Sequence, residues 1–145
     1  MDITIRSMKE KDKEAVLAMM RVFYRSPAVL SNGSEEIFQN DVENCIGDSP
    51  YLEGFVMETG GEIAGYAMVA KSFSTEFGKP CIWIEDLYVK EPYRHQGFGS
   101  QMLQYIMQAF PAHLFRLEVE AENTRAIAAY TKNGFEELPY MEMKK

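Results

Sequence analysis

Residues 81–89, Cys81-Ile82-Trp83-Ile84-Glu85-Asp86-Leu87-Tyr88-Val89, constrain the chain most, because apolar side chains fall on both faces of any strand they form. A strand buried on both faces needs a layer on each side, which points to an α/β arrangement with this strand at its centre. It is followed by Pro92-Tyr93-Arg94-His95-Gln96-Gly97-Phe98-Gly99-Ser100. A helix over about residues 100–110 then carries Met102, Leu103, Ile106, Met107 and Phe110 on one side. A strand, a tight turn and a helix start leave backbone N–H groups unpaired, and such a site binds phosphate oxygens. Gly97 and Gly99 let the backbone come close to a ligand, and Arg94 adds a charge-assisted contact.

Two other phosphate motifs do not fit. The dinucleotide fingerprint needs a third glycine where this chain has Met102, which disfavours a nicotinamide cofactor. The P-loop needs Gly-Lys-Ser/Thr at the helix start, whereas Gly99 is followed by Ser100 and Gln101. ATP or GTP hydrolysis is disfavoured too.

No internal repeat or linker divides the chain, so residues 1–145 are read as a single domain. Ile3-Thr4-Ile5-Arg6 alternates like a short strand, and Asp12 is placed to cap a helix running to about Tyr24. Ser34 is the N-cap of a second helix with Phe38, Val42, Cys45 and Ile46 on its inner face, ended by Gly47. Strands are expected over residues 51–57 and 63–70, joined by a hairpin at Thr59-Gly60-Gly61. A half-buried strand over residues 114–120 and a helix capped by Asn123 and ended by Gly134 follow. A last strand pair is expected over residues 135–138 and 140–143.

With 46% apolar and 26% charged residues, the composition is that of a globular protein. A formal charge of -7 repels phosphate backbones and argues against nucleic acid; it suits cationic substrates such as polyamines, but an ordinary solvated acidic surface is the better-supported reading of the charge. No apolar run approaches the ~18 residues of a membrane span, and no leader-like start is seen, so a cytoplasmic protein without a membrane partner is expected. Cys45 and Cys81 lie far apart, with only His95 and His113 to join them, and no metal site is expected.

In its order of strand, Arg-x-x-Gly-x-Gly and helix, and in Asn123-Thr124-Arg125-Ala126, Tyr130 and Asn133-Gly134-Phe135, the chain resembles the GNAT superfamily of N-acetyltransferases. The resemblance covers roughly residues 81–138. It departs at His95, where the family often has glycine directly after the motif arginine. The resemblance implies a twisted mixed sheet of about six to seven strands flanked by about four helices, with splayed central strands opening a cleft for acetyl-CoA. It implies that backbone groups of Leu87, Tyr88 and Val89 pair with the pantetheine arm. The amides of His95, Gln96, Gly97, Phe98, Gly99 and Ser100 would hold the pyrophosphate, helped by Arg94, and Asn123 would cap its helix and reach the cofactor.

Moving acetyl from a thioester to an amine needs a neutral amine, a stabilised oxyanion and a protonated leaving sulfur. A lysine-like amine costs about 4.6 kcal/mol to neutralise at pH 7, so a base matters most for aliphatic amines. Strand alternation puts Glu85 with Trp83 and Leu87, and Asp86 with Ile84 and Tyr88, unless a bulge intervenes. The segment looks most like that of diamine and spermidine acetyltransferases, where the matching glutamate is the base, and this implies Glu85. The competing reading is a carboxylate satisfied by a cation or a backbone donor. In the family the tyrosine matching Tyr130 protonates the departing thiolate; here too a core tyrosine is the alternative.

The expected reaction is direct acetylation of a small aliphatic amine or polyamine, with acceptor choice near Phe23, Tyr24, Glu35, Glu36 and Asp41. Acetylation of a protein lysine or N-terminus, or a non-catalytic acyl-CoA-binding module, are the alternatives. A homodimer is carried as an expectation.

Overall fold

The computed structural model describes residues 2–145. Strands β1 (Thr4–Ser7), β2 (Leu52–Thr59), β3 (Glu62–Ser74), β4 (Lys79–Val89) and β5 (Leu114–Leu117) form one sheet in the order β1-β2-β3-β4-β5. The pairings are antiparallel from β1 to β4, and β4 pairs with β5 in parallel. Four α-helices cover it: α1 (Lys13–Phe23), α2 (Glu35–Ile46), α3 (Phe98–Ala109) and α4 (Thr124–Lys132). The fold is therefore the α/β mixed sheet expected, with five strands rather than six to seven.

Period-3.6 stripes decide which helix lies where. Val16, Leu17 and Met20 of α1, with Phe38 and Val42 of α2, pack against Val56, Tyr66, Met68 and Tyr88. Phe98, Met102, Leu103 and Ile106 of α3 pack on the other face, against Met57, Ala67, Val69, Ile82 and Ile84. Fully burying each such side chain stabilises by roughly 1.5–3 kcal/mol, and the doubly covered β3 and β4 are the result. The β2–β3 hairpin turns on Gly60 and Gly61, both left-handed at φ 58 and 79, the conformations a two-residue hairpin loop requires. Ser34 caps α2, its Oγ accepting the Ile37 amide at 3.2 Å.

Three local expectations are corrected. Asp12 precedes α1 but does not cap it with its side chain. Its buried carboxylate instead accepts both terminal nitrogens of Arg6 at 2.8 Å, and the Lys9 amide at 2.8 Å within a 3-10 turn over Glu10–Asp12. A bidentate charged pair is stronger than a neutral cap, and Arg6 holds the Asp12 carboxyl below its ordinary value.

The strand expected over residues 114–120 stops at Leu117. Residues 135–138 and 140–143 make no sheet pairs. Pro139 offers no N–H to a ladder, and Leu138, Tyr140, Met141 and Met143 remain exposed, so this segment buries too little apolar surface to order as strands.

Candidate active site

The site is organised by one irregularity in β4. Ile84 pairs with Val69 and Asp86 with Met68, which leaves Glu85 as the extra residue of a β-bulge. Ile82 and Ile84 face α3, Asp86 and Tyr88 face α1 and α2, and Leu87 and Val89 return to the α3 side. The bulge thus separates Asp86 from Ile84, which regular alternation would have kept on one face.

The parallel partner leaves at the same place: β5 pairs from Cys81↔Leu114 to Ile84↔Leu117 and no further. Beyond Ile84 that edge of β4 has no strand beside it among the described residues. The Lys90 amide donates to the Ala64 carbonyl at 2.8 Å, which sets the phase of the ladder. Alternation then turns the backbone groups of Tyr88 toward β3 and those of Leu87 and Val89 toward the open edge. Of the three residues expected along a pantetheine arm, Leu87 and Val89 present free edges and Tyr88 does not. The Val89 carbonyl already accepts Arg94 Nε at 2.8 Å.

After β4, a 3-10 turn over Glu91–Tyr93 leads into residues 94–97 and α3. His95 and Gly97 both adopt left-handed backbone, φ 65 and 79. A histidine is strained there, which explains why glycine suits the position after the arginine. Gln101 is the first amide to bond back into the helix, to the Gly97 carbonyl at 3.0 Å, so the amides of Phe98, Gly99 and Ser100 lie in the unpaired first turn. A Cβ added at Gly97 or Gly99 would meet no atom within 4 Å. Internal packing therefore does not demand glycine at residue 99, and the face there is open to the close approach of a ligand. Arg94 lies 5.4 Å from the Tyr88 ring centroid, with its terminal nitrogens beyond the Nε contact still available.

Helix α4 begins at the expected Asn123 cap and is tied to this turn by contacts of Asn133 and Arg125 that the sequence does not announce. Asn123 Oδ1 accepts the Ala126 amide at 3.3 Å and caps α4. Asn133 Nδ2 donates to Ser100 Oγ at 3.0 Å and to the Ala129 carbonyl at 2.8 Å, joining the end of α4 to the start of α3. Arg125 reaches His95, with its terminal nitrogen 2.8 Å from Nε2. Both Arg125 and Asn133 belong to the recognisable downstream block, but only the tertiary structure shows what they touch.

On the opposite side of β4 the chemistry is acidic. Asp86 is buried and accepts the hydroxyls of Tyr24 at 2.9 Å and Tyr66 at 2.7 Å. Burial pushes its carboxyl up against the opposing effect of those two hydrogen bonds. Asp41 of α2 is pushed up to about 6, first by burial and then by the Asp86 charge. Glu85 is open to solvent, yet the protein around it raises its carboxyl through desolvation, Asp86, Glu142 and Asp41, in that order. Among the described residues none of these three carboxylates forms an ion pair.

Tyr130, half-buried on α4, is raised above its ordinary value by burial alone, and its ring meets Phe135 edge-on at 6.0 Å. It lines a cavity of about 720 Å³ with Trp83, Phe115, Leu117 and Glu142. Neither Glu85 nor residues 94–100 line that cavity, so Tyr130 is the one candidate residue within it. His113 accepts or donates only locally, at the Pro111 carbonyl. Among the described residues no cluster of three or more His, Cys, Asp or Glu is arranged to hold a metal, and no helix is long and apolar enough to cross a membrane.

An open strand edge ending in a glycine turn that presents helix amides accords with the family comparison: residues 16–135 match the model of the acetyltransferase (GNAT) family. The chain belongs to that family. It is 30% identical over 149 residues to a thialysine N-epsilon-acetyltransferase of Sus scrofa, covering 94% of this chain and 85% of the relative. An uncharacterized N-acetyltransferase, YhfO, of Bacillus subtilis (strain 168) is 30% identical over 93% of this chain and 91% of its own. The solved structure of aminoglycoside N-acetyltransferase AAC(6')-Iy in complex with CoA superposes with a TM-score of 0.81 at 17% identity, covering 99% of this chain and 94% of that one. The protein is an acetyl-CoA-dependent N-acetyltransferase, and acetyl-CoA is its cosubstrate. The open face at Gly97 and Gly99 and the free edge at Leu87 and Val89 fit that cosubstrate.

Proposed function

We propose that this GNAT enzyme acetylates a small aliphatic primary amine or polyamine, with Glu85 as general base acting through water and Tyr130 as general acid. The observation that carries the reading is the bulge: it sets Glu85 at the point where β5 leaves β4. A carboxylate raised above the ordinary range is a better base for an ammonium proton than an unperturbed one. Tyr130, raised by burial, holds its proton at neutral pH and is able to give it to the departing thiolate. Leu87 and Val89 would pair with the pantetheine arm, and the first-turn amides of α3 with the pyrophosphate. Asp86 and Asp41, with no cation opposite them, favour an acceptor that carries positive charge. Relatives named for thialysine and for aminoglycosides support an amine of modest size.

The acceptor panel that tests this reading measures CoA release with aliphatic amines, polyamines and lysine-containing peptides. Turnover is expected with the small amines. Turnover of peptides alone would replace this reading with protein acetylation, and CoA binding without release on any acceptor would replace it with a binding module. A cytoplasmic location, a homodimer and a one-domain chain belong to the same proposal. Fractionation, light scattering and limited proteolysis test them in turn.

A further inference from the structure

We propose that Arg125, delivered from α4 and held by His95, is a second cationic ligand for the phosphates of CoA. The inference rests on residues 94–100 being the phosphate site. CoA carries a pyrophosphate and a 3′-phosphate, while the protein carries a formal charge of -7. Binding such an anion to an acidic protein requires positive charge concentrated locally. The α3 N-terminus supplies part of it through its free amides and dipole. Arg94 supplies another part, but its Nε is already committed to the Val89 carbonyl.

Arg125 answers this shortage. It projects from the first turn of α4, is exposed, and crosses to the leading turn of α3, with its terminal nitrogen 2.8 Å from Nε2 and 3.2 Å from Nδ1 of His95. Among the described residues neither Arg94 nor Arg125 pairs with a carboxylate, although acidic residues outnumber basic ones 22 to 15. An exposed arginine held only against an imidazole ring keeps most of its hydrogen-bonding capacity unspent, and a guanidinium spends that capacity best on phosphate.

His95 explains how Arg125 is held. The position adopts left-handed backbone, φ 65, where glycine is the least strained residue. A histidine there tolerates strain and contributes one contact beyond its own turn, the one to Arg125. His95 is accordingly a positioning residue. Asn133, bonded to Ser100, fixes the other end of α4 to the same turn and keeps Arg125 within reach.

The test is calorimetry on the full chain with CoA and with 3′-dephospho-CoA, using Arg125→Gln, His95→Gly and the double variant. Arg125→Gln is expected to weaken CoA binding about tenfold, the size of one charged contact. Loss confined to CoA would assign Arg125 to the 3′-phosphate, and equal loss with both ligands would assign it to the pyrophosphate. His95→Gly relieves the strained backbone and should still weaken CoA binding in the wild-type background, with no further effect once Arg125 is gone. A backbone role for His95 would instead weaken binding equally in both backgrounds and remove its positioning role. Arg125→Gln binding both ligands within twofold of wild type would overturn the proposal.

Gly99→Val separates this from the underlying reading. The added side chain meets nothing within the protein, so it should fold while blocking the phosphates. If Gly99→Val abolishes binding and Arg125→Gln does not affect it, only the role of Arg125 falls. If Gly99→Val binds CoA normally, the phosphate assignment of the turn falls as well.

Discussion

The two sides of the second half of β4 follow opposite strategies. Toward α3 and α4 the strand edge is open, the turn is exposed, and its charges are arginines and unpaired amides. Toward α1 and α2 lies a buried carboxylate, Asp86, satisfied by two tyrosine hydroxyls, with Asp41 nearby and, among the described residues, no ion-pairing cation. The first side keeps its binding groups solvated and available to a large anion. The second holds negative charge where solvent does not screen it, which raises its own carboxyls and, on the proposed function, favours a cationic acceptor. Glu85 stands between them at the bulge.

The division between binding and chemistry is broken most severely at Tyr130. Tyr130→Phe is expected to lower kcat by about 100-fold while leaving CoA affinity within twofold, by steady-state kinetics and calorimetry. Equal loss in both quantities would move Tyr130 to the binding side. Glu85→Gln should cost about tenfold in kcat/KM at pH 7 with an aliphatic amine. The deficit should shrink as rising pH supplies the neutral amine. On the acid side, wild-type kcat/KM should fall as Glu85 takes up a proton above the ordinary carboxylate range, and the variant should lack that limb.

The acidic side is sharpened by Asp86→Asn. An amide accepts through one oxygen where the carboxylate used two, so a tyrosine hydroxyl loses its partner and stability falls by roughly 1–3 kcal/mol in chemical denaturation. Asp41 should then titrate below about 6, but above its ordinary value, because burial rather than Asp86 is the larger cause. The pH signs differ between sites. Asp41, raised in the folded state, lowers stability as pH climbs toward about 6, and Asp41→Asn should flatten that decline. Asp12, depressed by Arg6, contributes stability that is present at neutral pH and lost as pH falls through its folded value.

The smallest expected effects come from the turn. Gly97→Ala should destabilise by about 1 kcal/mol because residue 97 is left-handed. Gly99→Ala, in the first turn of α3 with nothing near its Cβ, should stabilise by roughly 0.5–1 kcal/mol and yet weaken CoA binding. Thermal melts beside CoA titrations distinguish the two. Tighter CoA binding in Gly99→Ala would contradict a phosphate approaching this face.

Much of the frame was legible in sequence because it is local. The doubly apolar run at residues 81–89, the Gly60-Gly61 hairpin, and the caps at Ser34 and Asn123 all appear where periodicity and turn chemistry place them. The failures share one cause, which is competition from a partner distant in sequence or space. Asp12 has a cap's composition but meets Arg6. Residues 135–143 alternate weakly, but beyond the partly buried Phe135 their large apolar side chains stay exposed and form no strands.

By itself the sequence determined the helices, the central strand and the glycine turn, since these depend on spacing and residue chemistry, while Glu85 and Tyr130 entered as candidate base and acid through the resemblance to the family. Tertiary structure alone decided that Glu85 occupies a bulge, that Asp86 is held by Tyr24 and Tyr66 across 62 and 20 residues, and that Arg125 meets His95 across 30. Strand register and the docking of one helix on another arise from packing between distant segments, and no local pattern encodes which residues that packing brings together.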